Sequence, residues 1–173
     1  GDKWDSDDST DNLIDIKVYG TMLVQGTESE PVAFTSAESI PQNGDWKGII
    51  FKDSADLTAS TIKGLKVQFA KVGINGENGL PVISDSEFTN CSQAGILCDL
   101  STKDINIANC RINSCNTGIS VNNGSCTVNI KDNSIIGCSY GIQALNNVYN
   151  AIVGNKIKTN LATAIEVNGT NPA

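Results

Sequence analysis

The chain contains no histidine, a single arginine (Arg111) and few aromatic side chains: two Trp, three Tyr and four Phe among 173 residues. Without histidine it lacks the commonest general base and the commonest zinc ligand, and any nucleophile activated by an imidazole is excluded. So few rings leave the core to Ile, Val, Leu, Ala and Cys, which suits a narrow interior better than a wide sandwich. No apolar run approaches the roughly 18 residues that a membrane-spanning helix needs, so no membrane span is expected. Positive charge is also short. Twelve Lys and Arg face 19 Asp and Glu, for a net charge of −7, a field that repels polyanions and argues against a nucleic-acid partner.

What is present begins with an acidic stretch, residues 1–12 (GDKWDSDDSTDN), in which only Trp4 is strongly apolar. It cannot bury enough surface to order itself and reads as a solvated leader, leaving 13–173 as the folded domain. It resembles the tether that follows the lipid-anchored Cys of a bacterial surface lipoprotein. That resemblance implies an extracytoplasmic, secreted or cell-surface location, through an N-terminal Cys that this sequence does not contain.

The second half repeats. Val82–Leu97 (VISDSEFTNCSQAGIL), Ile105–Ser120 (INIANCRINSCNTGIS), Val128–Gln143 (VNIKDNSIIGCSYGIQ) and Ala151–Glu166 (AIVGNKIKTNLATAIE) can be laid under one another. An apolar anchor recurs at Phe88, Ile112, Ile135 and Ile157, in steps of 24, 23 and 22 residues. Three residues later stand Cys91, Cys115, Cys138 and Asn160, and then Gly95, Gly118, Gly141 and Ala164, each followed by Ile. Val67, Ala70, Gly73 and Ile74 fit the same frame one unit earlier. Apolar residues alternate within each unit, as in Ile105/Ile107 and Val128/Ile130, which is strand spacing, and Gly, Asn, Asp and Ser punctuate them as turns. A unit of about 22 residues with three short strands is one coil of a parallel β-helix.

Stacked coils place like residues above one another. Ser86, Cys110, Asn133 and Asn155 fall at one turn position, where an Asn can bond both its own turn and the next coil. Gly95, Gly118 and Gly141 mark a second bend that calls for a left-handed or a crowded backbone. Loops over residues 38–43 and 75–79 should project from the stack.

The first half carries GTMLVQGT (Gly20–Thr27), PVAFTS (Pro31–Ser36) and GDWKGIIF (Gly44–Phe51). These phrases resemble those of secreted and surface bacterial β-helix proteins in the pectin-lyase-like class. The downstream coils are similar to the repeats of periplasmic copper-oxidase accessory and carbohydrate-associated β-helices. The resemblance, over roughly residues 16–167, implies a right-handed parallel β-helix and leaves the activity open, because this architecture hosts lyases, hydrolases, adhesins and scaffolds alike.

Candidate site residues follow from the columns. Cys91, Cys115 and Cys138 would stack in the interior as small apolar fillers, with one stacked disulfide as the alternative. None of the cysteine spacings matches the paired knuckles of a zinc site. Lyases of this class abstract a proton with Arg or Lys, and carboxylates hold calcium, so Arg111, Glu87 and Asp132 are the catalytic candidates that the resemblance implies. The competing reading of Glu87–Arg111 is a surface contact between adjacent coils, contributing about 0.2–1 kcal/mol. Asp85, Asn109 and Asp132 form a column of oxygen ligands, which makes calcium the one candidate cofactor. The three aspartates, His and Arg-x-Lys motif of polygalacturonases have no counterpart here. Trp46 and Tyr140 are candidates for stacking on a sugar, Trp46 having the alternative of covering the early coils.

The reading that results is a non-catalytic extracytoplasmic module that binds a glycan or presents a surface. The alternatives are a polysaccharide lyase or hydrolase with an atypical site, and a purely structural spacer. The NGTNPA tail offers no cap, so a dimer formed through the last coil's edge is a further expectation.

Overall fold

The computed structural model describes residues 13–147, 149–159 and 162–169, and over these the regular structure is all strand. The leader expected at 1–12 lies outside the described residues, as do Asn160 and the last four residues of the tail. The first coil consists of β1 (Asp15–Val18), β2 (Leu23–Gln25) and β3 (Val32–Phe34), the second of β4 (Gly48–Phe51), β5 (Thr61–Lys63) and β6 (Leu65–Gln68). The third holds β7 (Val72–Gly76), β8 (Val82–Ser84) and β9 (Glu87–Thr89), the fourth β10 (Ala94–Asp99), β11 (Ile105–Ala108) and β12 (Arg111–Asn113). The fifth is built from β13 (Thr117–Asn122), β14 (Thr127–Lys131) and β15 (Ser134–Ile136). The sixth has β16 (Tyr140–Asn147), β17 (Tyr149–Val153) and β18 (Lys156–Lys158), and β19 (Ile165–Gly169) opens a seventh. Corresponding strands pair in parallel into three sheets: sheet A with seven strands from β1 to β19, and sheets B (β2 to β17) and C (β3 to β18) with six each.

The register explains the repeat. Ile16, Ile49, Ile74, Ile96, Ile119, Ile142 and Ile165 are successive Cα partners across sheet A. From Ile49 onward they are separated by 25, 22, 23, 23 and 23 residues, so the coil is nearer 23 than 22. The first step is 33 because two insertions lengthen that coil, residues 26–31 between β2 and β3 and residues 35–47 between β3 and β4. Val24, Ile62, Ile83, Ile107, Ile130 and Ile152 line sheet B in the same way, and Phe34, Val67, Phe88, Ile112, Ile135 and Ile157 line sheet C. β-Branched side chains stacked a rung apart fill the narrow interior, and the central members of these columns are wholly buried. Each buried Ile is worth roughly 1.5–3 kcal/mol.

Three corners separate the sheets, and each is turned by a left-handed residue. Between B and C it is Gly64, Asp85, Asn109, Asp132 and Gly154; between C and A, Phe69, Asn90, Ser114 and Gly137; between A and B, Leu100, Asn123 and Asn146. Asp and Asn tolerate this conformation because their short polar side chains bond locally. The predicted second-bend glycines do otherwise. Gly95, Gly118 and Gly141 have no positive φ, but a Cβ on Gly118 would stand 2.6 Å from the Gly141 carbonyl oxygen and 2.6 Å from Ile135 Cγ2. Of the two reasons expected for glycine there, crowding is the operative one.

The polar turn column forms the expected ladder. The Cys110 and Asn133 amides donate to Asn133 Oδ1 and Asn155 Oδ1, both at 2.9 Å. The two Asn Nδ2 groups donate back to the Ile107 and Ile130 carbonyls, at 3.1 and 2.8 Å. Loop residues 38–43 are exposed as expected. The second loop expected to project does not: Asn75 and Gly76 belong to β7, Gly79 is buried, and of these residues only Asn78 is exposed.

Candidate functional site

The chain's one arginine sits outward on β12, registered between Glu87 of β9 and Ser134 of β15. Its Nε lies 3.9 Å from Glu87 Oε2, the inter-coil contact expected. Its Nη1 donates to Glu28 Oε1 at 3.0 Å. Glu28 escaped the sequence reading. It stands in the loop between β2 and β3, where the Thr27 amide bonds the Glu30 carbonyl and the Glu30 amide bonds Thr27 Oγ1. That tight turn, belonging to the first coil, leans along the stack to reach Arg111 in the fourth, roughly 14 Å away at the rung spacing of strands.

Beneath this loop, at the corner of sheets B and C, is a hollow of about 480 Å³ lined by Gly26, Thr27, Glu28, Lys63, Asp85, Asn109 and Arg111. Lys63 Nζ is 3.8 Å from Asp85 Oδ2, and Lys66 Nζ is 3.4 Å from Glu87 Oε1 just outside. The charges in the lining therefore balance, two carboxylates against two cations, while Asn109 adds one amide donor and one acceptor. A guanidinium offers donors only and cannot accept a proton as a base would, so Arg111 can hold and orient hydroxyl groups but not abstract a proton.

The remaining candidates fall in separate places. Asp132 is not in the lining. A Cβ built at Gly154 would sit 2.0 Å from Asp132 Oδ1, so that carboxylate is turned toward the sixth coil and away from Asn109. Asp85 and Asp132 are two coils apart, about 10 Å by rung spacing. The flanking Gly64 and Gly154 show what their column has in common, a left-handed backbone. Among the described residues, no group of three or more His, Cys, Asp or Glu is placed to hold a metal ion.

Trp46 is 8% exposed, pairs with Ala70, donates its indole N–H to the Gln68 carbonyl at 2.9 Å and packs tilted against Phe34 with ring centroids 6.5 Å apart. It covers the early coils and lines a hollow of about 280 Å³ together with Ile14, Ile16 and Phe34 on one side and Ser36, Glu38 and Asp45 on the other. Tyr140 is half-buried at the start of β16, four coils from Trp46. The two rings do not form one platform. All six cysteines carry free thiols and all are buried.

A family model described as "right handed beta helix region" matches residues 34–172. The chain belongs to the right-handed β-helix family. No curated protein and no solved structure matches it. No helix of the β-helix is long and apolar enough to cross a membrane among the described residues.

Proposed function

We propose that this β-helix is a non-catalytic binding module of the cell exterior, and that the hollow at the sheet B–C corner takes a neutral, hydroxyl-rich segment of a glycan. The observation that carries this reading is the lining itself. Glu28, Lys63, Asp85, Asn109 and Arg111 place donors and acceptors around one open hollow with their charges mutually balanced. Such a surface favours a ligand with many hydroxyl groups and no net charge over a polyanion. Glu28 and Glu87 are both engaged with the same guanidinium, which leaves neither placed as a free general acid.

The test is size-exclusion profiling of a panel of neutral and uronate-bearing polysaccharides, with and without the protein and with and without calcium. Intact neutral polymer that co-elutes with the protein, and no longer does so with Arg111→Ala of unchanged circular dichroism, is the expected result. Shortened polymer would make the protein an enzyme. Unchanged profiles would leave a spacer.

A further inference from the structure

Three of the six buried thiols share one column, and the fold accounts for it. At the corner from sheet C to sheet A, the left-handed residues Asn90, Ser114 and Gly137 turn the next side chain inward. Those next residues are Cys91, Cys115 and Cys138, which are 0%, 4% and 0% exposed. The column starts with Trp46 and Ala70, so its upper end is closed by an indole and a methyl group. Each thiol is held by the carbonyl two residues before it, Cys91 by Thr89 at 3.9 Å, Cys115 by Asn113 at 3.5 Å and Cys138 by Ile136 at 3.9 Å, so the three sulfurs take the same place on successive rungs. In-register parallel rungs put neighbouring Cα atoms about 4.8 Å apart, inside the roughly 4.4–6.8 Å range of disulfides.

The other cysteines lack this arrangement. Cys98 is registered with Gly76 and Val121. Cys110 bonds the Ala108 carbonyl at 3.3 Å within the asparagine ladder. Cys126 lies off the strands and has no registered rung partner, although it is near enough to Cys98 to act on that thiol.

We propose that Cys91, Cys115 and Cys138 form a redox staple, in which oxidation joins Cys115 to one neighbour or the other, never to both, and so ties two adjacent coils covalently. With a peroxide as the oxidant, one column sulfur attacks the O–O bond and becomes a sulfenic acid as the first water leaves. The neighbouring sulfur then displaces hydroxide from it, the S–S bond forms, and the lost thiol proton completes a second water. Two thiols give up two electrons, and one hydrogen peroxide becomes two waters. The third thiol stays reduced and can exchange partners by attacking the disulfide.

The column also controls when this happens. The neighbouring column thiols, together with burial, hold the Cys115 and Cys138 thiol pKa values above the ordinary range. The thiolate is the reactive form, so the closed stack resists oxidant and the staple forms while the coils are parted, during folding or local opening. A line of sulfurs one rung apart also differs from a cage around a metal, in keeping with the absence of a metal-holding cluster among the described residues.

The whole chain is treated with hydrogen peroxide in buffer and in urea below the unfolding midpoint, then alkylated in strong denaturant and mapped by peptide mass spectrometry. The expected result in urea is one disulfide per chain, Cys91–Cys115 or Cys115–Cys138, with four of the six thiols still alkylated. In buffer the same product should form at least tenfold more slowly. Cys115→Ser should abolish the column disulfide, Cys91→Ser should retain Cys115–Cys138, and Cys138→Ser should retain Cys91–Cys115. If Cys115→Ser does not fold by circular dichroism, Cys115→Ala takes its place. Disulfides at Cys98, Cys110 or Cys126, six alkylated thiols after treatment, or a column disulfide surviving without Cys115 would overturn the proposal. Equal rates in buffer and urea would overturn the gating by coil opening.

Discussion

Truncating Asn133 to alanine should destabilise the β-helix far more than truncating any asparagine on its outer faces. Asn133 is 2% exposed. Its Oδ1 is the acceptor for the Cys110 amide at 2.9 Å, and its Nδ2 donates to the Ile107 carbonyl at 3.1 Å and to Asn155 Oδ1 at 2.9 Å. In Asn133→Ala the Asn155 oxygen keeps the Asn133 backbone N–H, but the Cys110 N–H and one interaction at the Ile107 carbonyl are lost among wholly buried neighbours. At about 1–3 kcal/mol for each buried polar group left unpaired, the loss comes to about 2–6 kcal/mol. A water entering the vacated space would bring it to the lower end of that range. Asn129, one strand earlier in the same coil, bonds Asn106 Oδ1 at 3.2 Å on the outside, and Asn129→Ala should stay within about 0.5 kcal/mol of wild type. Urea unfolding followed by circular dichroism gives the comparison. Because each coil pairs only with its neighbours, hydrogen exchange at the Cys110 amide should locate the damage in the fourth to sixth coils. If Asn133→Ala is as mild as Asn129→Ala, or the Cys110 amide stays as protected as before, the ladder does not hold the coils together and the reasoning fails.

Gly118→Ala, whose Cβ would press on the Gly141 carbonyl and on Ile135, should cost about 1–3 kcal/mol in urea; a neutral result would mean that the coil spacing yields. Arg111→Ala removes contacts to Glu28 and Glu87 from a half-exposed site, so it should cost less than about 1 kcal/mol, and any effect should fade in high salt; a larger, salt-independent loss would make the Glu28 loop a structural clamp. Burial pushes the Cys98 and Cys110 thiols from 9.0 to about 12, so the folded state holds these protons more tightly than the unfolded one. Their contribution is fully present below pH 9 and is lost as pH rises toward 12, so a urea midpoint that stayed level from pH 8 to 11 would contradict this. Asp85→Asn should preserve stability because the corner needs a left-handed residue, whereas Asp85→Val should cost about 1–2 kcal/mol; a calcium-induced rise in Tm that Asp85→Asn removes would assign the column to ion binding instead.

The sequence made columns of one residue type legible and hid the columns of mixed type. The isoleucines of sheet A from Ile74 to Ile165, the cysteine column and the asparagine turn could all be aligned because stacking rewards the same side chain at every rung. Ile16 and Ile49 belong to the first of these columns, but the insertions over residues 26–31 and 35–47 lengthen their step to 33 and take them out of the period. Trp46 heads the cysteine column through its pairing with Ala70, a place that no likeness of side chains could reveal. The Asp85–Asn109–Asp132 alignment was visible, but its cause was hidden. Oxygen-bearing side chains suggest an ion, whereas the left-handed backbone shared with the flanking Gly64 and Gly154 gives Asp and Asn a second reason to stand there.

The hollow was half-legible for a related reason. Arg111, Asp85 and Asn109 sit in the repeating frame and could be singled out, but Glu28 and Thr27 sit in a loop that the frame does not describe. That loop crosses three rungs, so its partner is 83 residues away in sequence and follows no period. Periodicity encodes the scaffold, where each rung repeats the physical task of the one below. A binding site must break that sameness to recognise one ligand, and at the proposed site the break is supplied by an insertion folded against the stack. The residues that distinguish this β-helix from others of its family should therefore lie in the departures from the repeat: the Gly26–Pro31 turn, the 35–47 loop and the segment after Gly76. Grafting the 26–31 turn onto a bare β-helix whose corner already carries the Lys63, Asp85, Asn109 and Arg111 equivalents should then transfer glycan co-elution. Transfer by the corner alone, without the turn, would show that recognition resides in the repeat after all.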